Sequence, residues 1–452
     1  MRLLTIVFFI FLFIFIRSLN FTEHLNFSFD QAWSSTRALE IWRDKEFTLV
    51  GPGNSIVVGG KQILQGSINY YFLLLFLILG NFDPIISSYL FMLFSAFMLV
   101  PLYYGVKMFY NHKTAVLIIA FYSLVPLYID FTRFFFGPGF QFSLIPLLIL
   151  FAGLYKQSKK LIYLFMAFFS IGVISQFHFA TLIFFPLFLF YFIKKNYLKE
   201  KKSEEEGPPG SAELRVIGSE ASTDGLAFVA VGTTTKEAKE SSDRIWIKAV
   251  IIFSGFLLGF SPIIFFELKN KFYNIVVFSD YLKNAGSFSN FQLLPHRYLS
   301  LSLVLLVLII GKYKKIVSVK LIVFACLILG IVDLSLYLPK PKQAFGMAEN
   351  WNYLMEKKAY GIIKKEGLKD FNIANLIYDN LSVVIKYQMR KDNYLINFDD
   401  YYHNKYLFVI DKNEKNISKN PAYEVQNFNP RKKSKQWKIN DSYNLYLYKR
   451  TK

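Results

Sequence analysis

The stretch "LLTIVFFIFLFIFI" (residues 3–16) is a run of apolar side chains between Arg2 and Arg17. A second run, "TLIFFPLFLFYFI" (181–193), has a similar length. Each approaches the ~20 apolar residues that an α-helix needs to cross a bilayer. The whole chain of 452 residues is 54% hydrophobic and has a mean hydropathy of +0.32. The sequence therefore predicts a mainly α-helical, polytopic membrane protein.

The positive charge predicts how the chain is oriented in the membrane. The net charge is +20, and many basic residues cluster in short loops between apolar runs, at position 2 and within 107–113, 156–160, 194–202 and 312–315. Such loops remain in the cytoplasm. The N-terminus is therefore expected in the cytoplasm, and no small-residue cleavage site follows the first run, so its helix is expected to be retained. No nucleic-acid-binding motif occurs, so we predict no nucleic-acid partner.

About nine transmembrane helices agree with this charge pattern. We expect them at 3–17, 84–107, 114–131, 140–155, 160–176, 179–194, 245–265, 296–311 and 317–337. The stretch "INYYFLLLFLILG" (68–80) is short for a span. Counting it as a span would place the later basic clusters on the outer side of the membrane. We predict that it lies at the outer interface, with Tyr70 and Tyr71 at the level of the headgroups. Residues 18–83 then form one long outer loop.

Two segments depart from the membrane pattern. Residues 203–243 are polar and rich in Pro and Gly, which predicts a disordered cytoplasmic insert. Residues 339–452 contain no span, so the transmembrane module is expected at 1–338, followed by a small extracytoplasmic α/β domain. In that domain we predict helices in 351–367 and 375–390 and strands at 405–411 and 442–450. Cys326, the single cysteine, lies in an apolar run and excludes an internal disulfide.

The segment "NFSFDQAW" (26–33) places Asp30 a few residues beyond the first apolar helix. A carboxylate in such surroundings costs desolvation free energy unless it has a partner or a chemical task. The functional interpretation is a general base. The structural alternative is the N-cap of a short helix.

Further motifs follow in order: Ala32 and Ala38, "VGPGNS" (50–55), "QGSINYY" (65–71), "YIDFTRFFFGPGF" (128–140) and "SPIIFFELKN" (261–270). Together with Asp30 they resemble the GT-C fold membrane glycosyltransferases, in the branch of protein O-mannosyltransferases and lipid A aminoarabinose transferases. The resemblance covers most of the chain except 203–243. It implies transfer of a sugar from a dolichyl- or undecaprenyl-phosphate donor. Gln31 stands where many members of that branch carry a second acid.

The chemistry of such a transfer limits what the site needs. A phosphate is already a good leaving group, so one carboxylate must take the proton of the acceptor, and cations must hold the phosphate. A single displacement inverts the configuration at the sugar carbon. We predict Asp30 as the base. We predict Arg133, His178 and Lys61 as donor or phosphate contacts, and Gln176, Glu267, Tyr70 and Tyr71 as substrate contacts.

The donor and substrate contacts have structural alternatives. Arg133 could anchor the interface or pair with Asp130, His178 could be a structural hydrogen-bonding residue, and Glu267 could be an interfacial charge. No metal-ligand spacing such as H-E-x-x-H occurs, so we predict no dedicated metal site and no cofactor.

Two other functional classes remain open. A flippase or transporter for lipid-linked saccharides predicts charged residues at mid-membrane, for which Asp333 is a candidate, together with broken helices and internal repeats. A non-catalytic scaffold or sensor predicts that Asp30 is dispensable. The expected partners of the glycosyltransferase are a polyprenyl-phosphate sugar donor, membrane lipids and an unidentified acceptor, in a bacterial cytoplasmic (inner) membrane.

Overall fold

The computed structural model describes residues 2–135, 137–190, 232–284, 298–394 and 400–451. The helices of the apolar part are α1 (Arg2–Ser18), α2 (Phe29–Asp44), α3 (Ile68–Leu79), α4 (Pro84–Phe97), α5 (Leu99–Phe109), α6 (His112–Leu124), α7 (Pro126–Arg133), α8 (Gly137–Ser158), α9 (Leu161–Ser175), α10 (Phe179–Phe190), α11 (Gly232–Gly259), α12 (Ser261–Lys269), α13 (Tyr273–Asn284), α14 (Leu299–Lys312) and α15 (Val319–Tyr337). Between α2 and α3 lie the strands β1 (Val50–Val58) and β2 (Lys61–Gly66).

Three helical stretches of the described chain are long and apolar enough to cross a membrane: Pro84–Phe109, which comprises α4 and α5, together with α8 and α15. The pairs α6–α7 and α11–α12 bring the number to five if each bent pair counts as one span. A helix lies at every predicted span, but α1, α9, α10 and α14 are shorter apolar helices of 10–17 residues. The structure therefore supports three to five spans, and the predicted nine are not established.

Each bent pair breaks at a proline. The angle between α6 and α7 is 67°, and that between α11 and α12 is 71°. Pro126 begins α7, and Pro262 lies in the first turn of α12. Proline has no backbone N–H and disfavours a helical conformation in the residue before it. Val125 is accordingly extended, and the helix axis changes direction there.

The loop between α2 and α3, which contains a Gly/Pro-rich stretch, forms regular structure. β1 and β2 form an antiparallel hairpin in which Val58 pairs with Lys61 across the two-residue turn Gly59–Gly60. Both glycines have positive φ, as the hairpin turn requires. The helix predicted at 68–80 is confirmed as α3, which packs on α2, α4 and the hairpin.

The predicted cytoplasmic insert is only partly described. Residues 203–231 lie outside the described residues. Residues 232–243 belong to the first part of α11, so the prediction of disorder up to 243 is wrong for this last portion. Helix α11 therefore begins in polar sequence and continues without a break into its apolar part.

The C-terminal region is the expected small α/β unit. It contains α16 (Tyr353–Glu366), β3 (Phe371–Asn375), α17 (Val383–Lys391), β4 (Tyr406–Asp411), α18 (Glu414–Lys419), α19 (Tyr423–Gln426), β5 (Arg431–Lys438) and β6 (Asn444–Arg450). The sheet order is β3-β4-β6-β5, and only β3 and β4 are parallel. The helix predicted in 375–390 is wrong in its first half, because β3 ends at Asn375 and the helix begins only at Val383.

The C-terminal unit packs against α2. Arg390 at the end of α17 forms an ion pair with Glu40 of α2. Arg43 donates hydrogen bonds to the backbone carbonyls of Arg390 and Lys391. At the other end of α2, a Cβ at Gly346 would lie 2.6 Å from the Ser28 hydroxyl. Helix α2 is therefore held between the apolar helices and α17 of the C-terminal unit.

Candidate functional site

A polar cavity of about 590 Å³ opens between α2, the hairpin, α3, α8 and the start of α10. Its lining comes from elements far apart in the sequence: Phe29, Asp30, Gln31, Trp33, Ser34, Gly51, Pro52, Gly53, Asn54, Gln62, Gln65, Asn69, Tyr70, Leu73, Phe135, Gly137, Pro138, Phe140 and His178. Three of the eight predicted site residues, Asp30, Tyr70 and His178, therefore line one cavity.

Asp30 lies in the first turn of α2 and does not cap the helix. The N-cap is Ser28, whose hydroxyl donates to the side-chain oxygen of Gln31 at 2.9 Å. No described residue donates a hydrogen bond to the Asp30 carboxylate or forms an ion pair with it. Asp30 is reached by solvent, yet the surrounding protein removes part of its hydration and raises the pKa of its carboxyl group. An unpartnered carboxylate with a raised pKa suits a proton acceptor.

None of the described lining residues of the cavity is Lys or Arg, so an anion bound there would have to be stabilised by partial charges of the backbone. The N-terminal ends of three helices meet in its wall: α2 at Phe29, α3 at Asn69 and Tyr70, and α8 at Gly137. The first N–H groups of a helix have no intrahelical partner, and the helix dipole places partial positive charge there. A phosphate or another anion is stabilised in such a position.

His178 completes the polar wall at the start of α10. Its Nδ1 accepts a hydrogen bond of 3.2 Å from the backbone N–H of Ala180. In the neutral ring this assigns the proton to Nε2, which can donate to a ligand oxygen. This position of His178 agrees with the predicted contact to the sugar donor. It also agrees with the structural alternative, because the hydrogen bond from Ala180 to Nδ1 caps the helix.

Two predicted phosphate contacts lie elsewhere. Arg133 is fully buried, donates to the carbonyl oxygen of Leu19 and contacts the rings of Phe21 and Tyr337. It does not line the cavity, because α7 turns away from the axis of α6 and directs Arg133 toward α1. Lys61 is exposed beside the turn of the hairpin. Neither position supports contact with a ligand bound at Asp30.

Two predicted substrate contacts instead fasten the hairpin. Gln176 is buried, its carbonyl accepts from the Gly66 N–H at 2.9 Å, and its side chain donates to the Gly259 carbonyl at 2.6 Å. The hydroxyl of Tyr71 donates to the Thr48 carbonyl at 2.8 Å. Both side chains position the walls of the cavity and do not line it.

Glu267 belongs to a second, apolar groove of about 570 Å³. Its carboxylate accepts from the backbone N–H of Asn274, at 3.2 Å for the nearer oxygen. The other lining residues of the groove are Ile63, Phe179, Leu182, Phe260, Ile263, Ile264, Leu268, Phe272, Asn274, Ile275 and Phe278. The groove and the polar cavity both border β2 and the start of α10: Ile63 and Phe179 line the groove, and their neighbours Gln62 and His178 line the cavity. Because consecutive side chains of a strand point to opposite faces, the groove lies on the other face of the hairpin.

Sequence reasoning missed most of the amides in the cavity. Asn54, Gln62, Gln65 and Asn69 all line it, and the Asn69 side chain donates to the Gln65 side chain at 3.1 Å. The sequence did contain a sign of a polar site here, because four side-chain amides fall within sixteen residues of a loop between apolar helices. They were not selected because the β-hairpin that brings them together was not predicted.

A cluster of buried charges beside α1 was also missed. Arg17 donates to the Thr132 hydroxyl at 2.8 Å, and Tyr337 donates to Asp130 at 2.8 Å. Asp333 is buried nearby, and neither of its carboxylate oxygens has a hydrogen-bond partner within the described ranges. Asp333 is therefore buried among neighbouring helices, as the transporter alternative predicts for a charged residue within the membrane. The cluster joins α15 to α1 and α7, outside the polar cavity.

The chain was compared with protein-family models, with curated proteins and with solved structures, and no match was found in any of the three.

Proposed function

We propose that the protein is an inverting membrane glycosyltransferase that moves a sugar from a polyprenyl-phosphate donor to an acceptor at the outer face of a bacterial cytoplasmic membrane. One observation carries the proposal: the unpartnered Asp30 carboxylate and three helix N-termini share a polar cavity, and an apolar groove borders the same hairpin and the same end of α10. The arrangement suits a substrate with a polar, anionic head and an apolar chain.

The proposed reaction needs one base and one anion site. Asp30 takes the proton of the acceptor hydroxyl as its oxygen attacks the anomeric carbon. The bond between that carbon and the phosphate oxygen breaks, and the polyprenyl phosphate leaves with the electron pair. The developing negative charge lies near the N-terminal ends of α3 and α8 and near His178. A single displacement of this kind inverts the sugar carbon.

The apolar groove supports a lipid-linked donor. Apart from Glu267 and Asn274, which bond to each other, every residue of its lining is apolar. A polyprenyl chain in this groove would place its phosphate near His178, because Phe179 and His178 are consecutive. The predicted orientation, with a cytoplasmic N-terminus and an outer C-terminal domain, would put both features at the outer face.

The first experiment tests Asp30 in proteoliposomes with a panel of radiolabelled polyprenyl-phosphate sugars and a crude envelope acceptor fraction. We expect transfer by the wild type and a loss of at least about 100-fold in Asp30→Asn, the size of effect expected for a positioned base. The matched control is Asp44→Asn, which removes an exposed carboxylate at the other end of α2 and should leave transfer unchanged.

Equal transfer by wild type and folded Asp30→Asn would exclude Asp30 as the base. No transfer by the wild type from any donor would favour a non-catalytic scaffold. Movement of a labelled lipid-linked sugar across the vesicle membrane without acceptor, retained in Asp30→Asn, would favour a flippase.

The apolar groove is tested with two neighbouring residues of α13. Ile275 lines the groove, whereas its neighbour Val276 does not. We expect Ile275→Asn to raise KM for a long-chain donor about tenfold, because an apolar contact is lost, and Val276→Asn to leave KM unchanged. Equal effects of the two variants would argue against the groove as the site of the chain.

A further inference from the structure

One end of the C-terminal sheet carries a strongly basic groove of about 880 Å³. It is lined by His403, Asn404, Lys405, Lys432, Lys433, Ser434, Lys449, Arg450 and Thr451, among which there is no Asp or Glu. About half of the net charge of +20 lies in residues 339–452. The groove is far in sequence from every residue of the polar cavity.

The pairing of β5 with β6 brings like charges together at this end of the sheet. Lys432 lies directly opposite Lys449, and Arg431 lies directly opposite Arg450. Like charges at directly opposite positions of an antiparallel pair destabilise the sheet. The two arginines are compensated by backbone carbonyls: Arg431 donates to Val425 at 2.6 Å, and Arg450 has carbonyl acceptors of its own.

The two opposed lysines have no such compensation. Neither Lys432 nor Lys449 forms an ion pair or a side-chain hydrogen bond with any residue in the described part of the chain. Farther along the same strand, Lys435 has a carboxylate partner, Glu366, at 2.7 Å. Lys433, which lines the groove, pairs with Glu414, and Lys438 pairs with Asp441. The fold thus supplies an acid to three lysines of β5 and leaves the facing pair, Lys432 and Lys449, without one. An anion from outside the chain would remove this repulsion.

The lining indicates what kind of anion fits. A surface that binds a membrane presents apolar side chains beside its lysines, and none of the lining residues of this groove is apolar. The lysines are joined instead by hydroxyl and amide groups, Ser434, Thr451 and Asn404, which donate hydrogen bonds to phosphate oxygens. The concave shape suits a strand that lies along it.

We propose that this groove binds a phosphate-bearing polymer strand, with one phosphate between Lys432 and Lys449. The proposal does not depend on glycosyl transfer. The strand neutralises the facing lysines and forms charge-assisted hydrogen bonds with them, so its binding weakens steeply as salt increases.

The test uses the full chain in nanodiscs of uncharged lipid and a fluorescently labelled polyphosphate, with binding measured by anisotropy over a series of salt concentrations. The variant is Lys432→Gln/Lys449→Gln. The control is Lys357→Gln/Lys415→Gln, which removes two exposed lysines from α16 and α18, outside the groove. We expect the groove variant to bind at least about tenfold more weakly and to lose about 0.7 of the salt slope for each lost phosphate contact. The control should resemble the wild type.

Thermal unfolding separates this role from a structural one. Since the facing lysines repel each other, the groove variant without ligand should unfold at the same temperature as the wild type or higher. Equal loss of polyphosphate binding in both double variants would overturn the proposal. So would a groove variant that keeps polyphosphate binding but loses binding to phosphatidylglycerol vesicles, because the groove would then face the membrane.

Discussion

At the scale of single residues, Ser28 takes the N-cap position of α2 that Asp30 could otherwise occupy. The sequence Ser28-Phe29-Asp30-Gln31 has the spacing of a capping box, but the Ser28 hydroxyl donates to the Gln31 side chain and forms no cap hydrogen bond with the backbone. Ser28 is the N-cap, α2 begins at Phe29, and Asp30 lies in the first turn and lines the cavity. The alternative in which Asp30 caps the helix is therefore wrong.

The raised pKa of Asp30 gives a stability prediction that separates a base from a structural residue. A folded-state pKa above the unfolded value means that the fold favours the protonated form, so stability is lost as the pH rises through the two pKa values and remains lower at neutral pH. We expect Asp30→Asn to unfold at the same temperature as the wild type or higher near pH 7, with no difference at acidic pH. A lower unfolding temperature of the variant near pH 7 would show that Asp30 stabilises the fold.

Glu356 gives a second prediction at this scale. It is fully buried, and one of its oxygens accepts from Trp351, Asn375 and Tyr378, at 2.7, 3.0 and 2.6 Å. Burial raises the pKa of Glu356 from 4.5 to about 7. Since the folded pKa is the higher one, this contribution to stability is complete below the unfolded pKa and is lost as the pH rises through about 7.

We expect Glu356→Gln to reduce the decrease in unfolding temperature between about pH 5 and pH 8, as measured by differential scanning fluorimetry. Glu349→Gln, an exposed neighbour, should retain the wild-type dependence. An unchanged pH profile in Glu356→Gln would mean that Glu356 does not cause it.

At the scale of elements, the β1–β2 hairpin assembles the site. It brings Gly53, Asn54, Gln62 and Gln65 to the cavity, and Gly66 fastens it to the end of α9. A Cβ at Gly66 would lie 2.4–2.7 Å from side-chain atoms of Gln176, too close for either backbone to remain in place. The absence of a side chain at position 66 is a packing requirement.

We expect Gly66→Ala to lower the free energy of unfolding by about 1–3 kcal/mol, the usual cost of overpacking, and to reduce any activity that depends on the cavity. Gly330→Ala is the matched control, because a Cβ there meets nothing within 4 Å and alanine favours a helix. Chemical denaturation in detergent measures both variants. A Gly66→Ala variant as stable as Gly330→Ala would show that the hairpin moves freely relative to α9.

At the scale of the whole molecule, the predicted orientation can be tested through the single cysteine. In a Cys326→Ser background, Lys314→Cys and Ser442→Cys place one thiol in a predicted cytoplasmic loop and one in the predicted outer domain. We expect a membrane-impermeant maleimide to label Ser442→Cys in intact cells and Lys314→Cys only after permeabilisation. The reverse pattern would invert the topology and move the polar cavity to the cytoplasmic side.

The sequence by itself determined the class of molecule. Its apolar runs predicted helices at the correct places, and "KYLFVID" (405–411) and "SYNLYLYKR" (442–450) predicted β4 and β6, because such patterns reflect burial along a single element. Asp30 could be selected because a charged residue beside an apolar run is unusual. Tyr70 and His178 were selected as well, although nothing in the sequence placed them near Asp30.

Only the tertiary structure decided which polar residues meet. Arg133, Gln176 and His178 all lie at the ends of their helices. The bend at Pro126 nevertheless directs Arg133 away from the cavity, and the docked hairpin covers Gln176. The facing lysines on β5 and β6 arise in the same way, from the register of two strands. Contacts between distant segments depend on the bend of a helix or the register of a strand, and neither is encoded in the local pattern of apolar and polar residues.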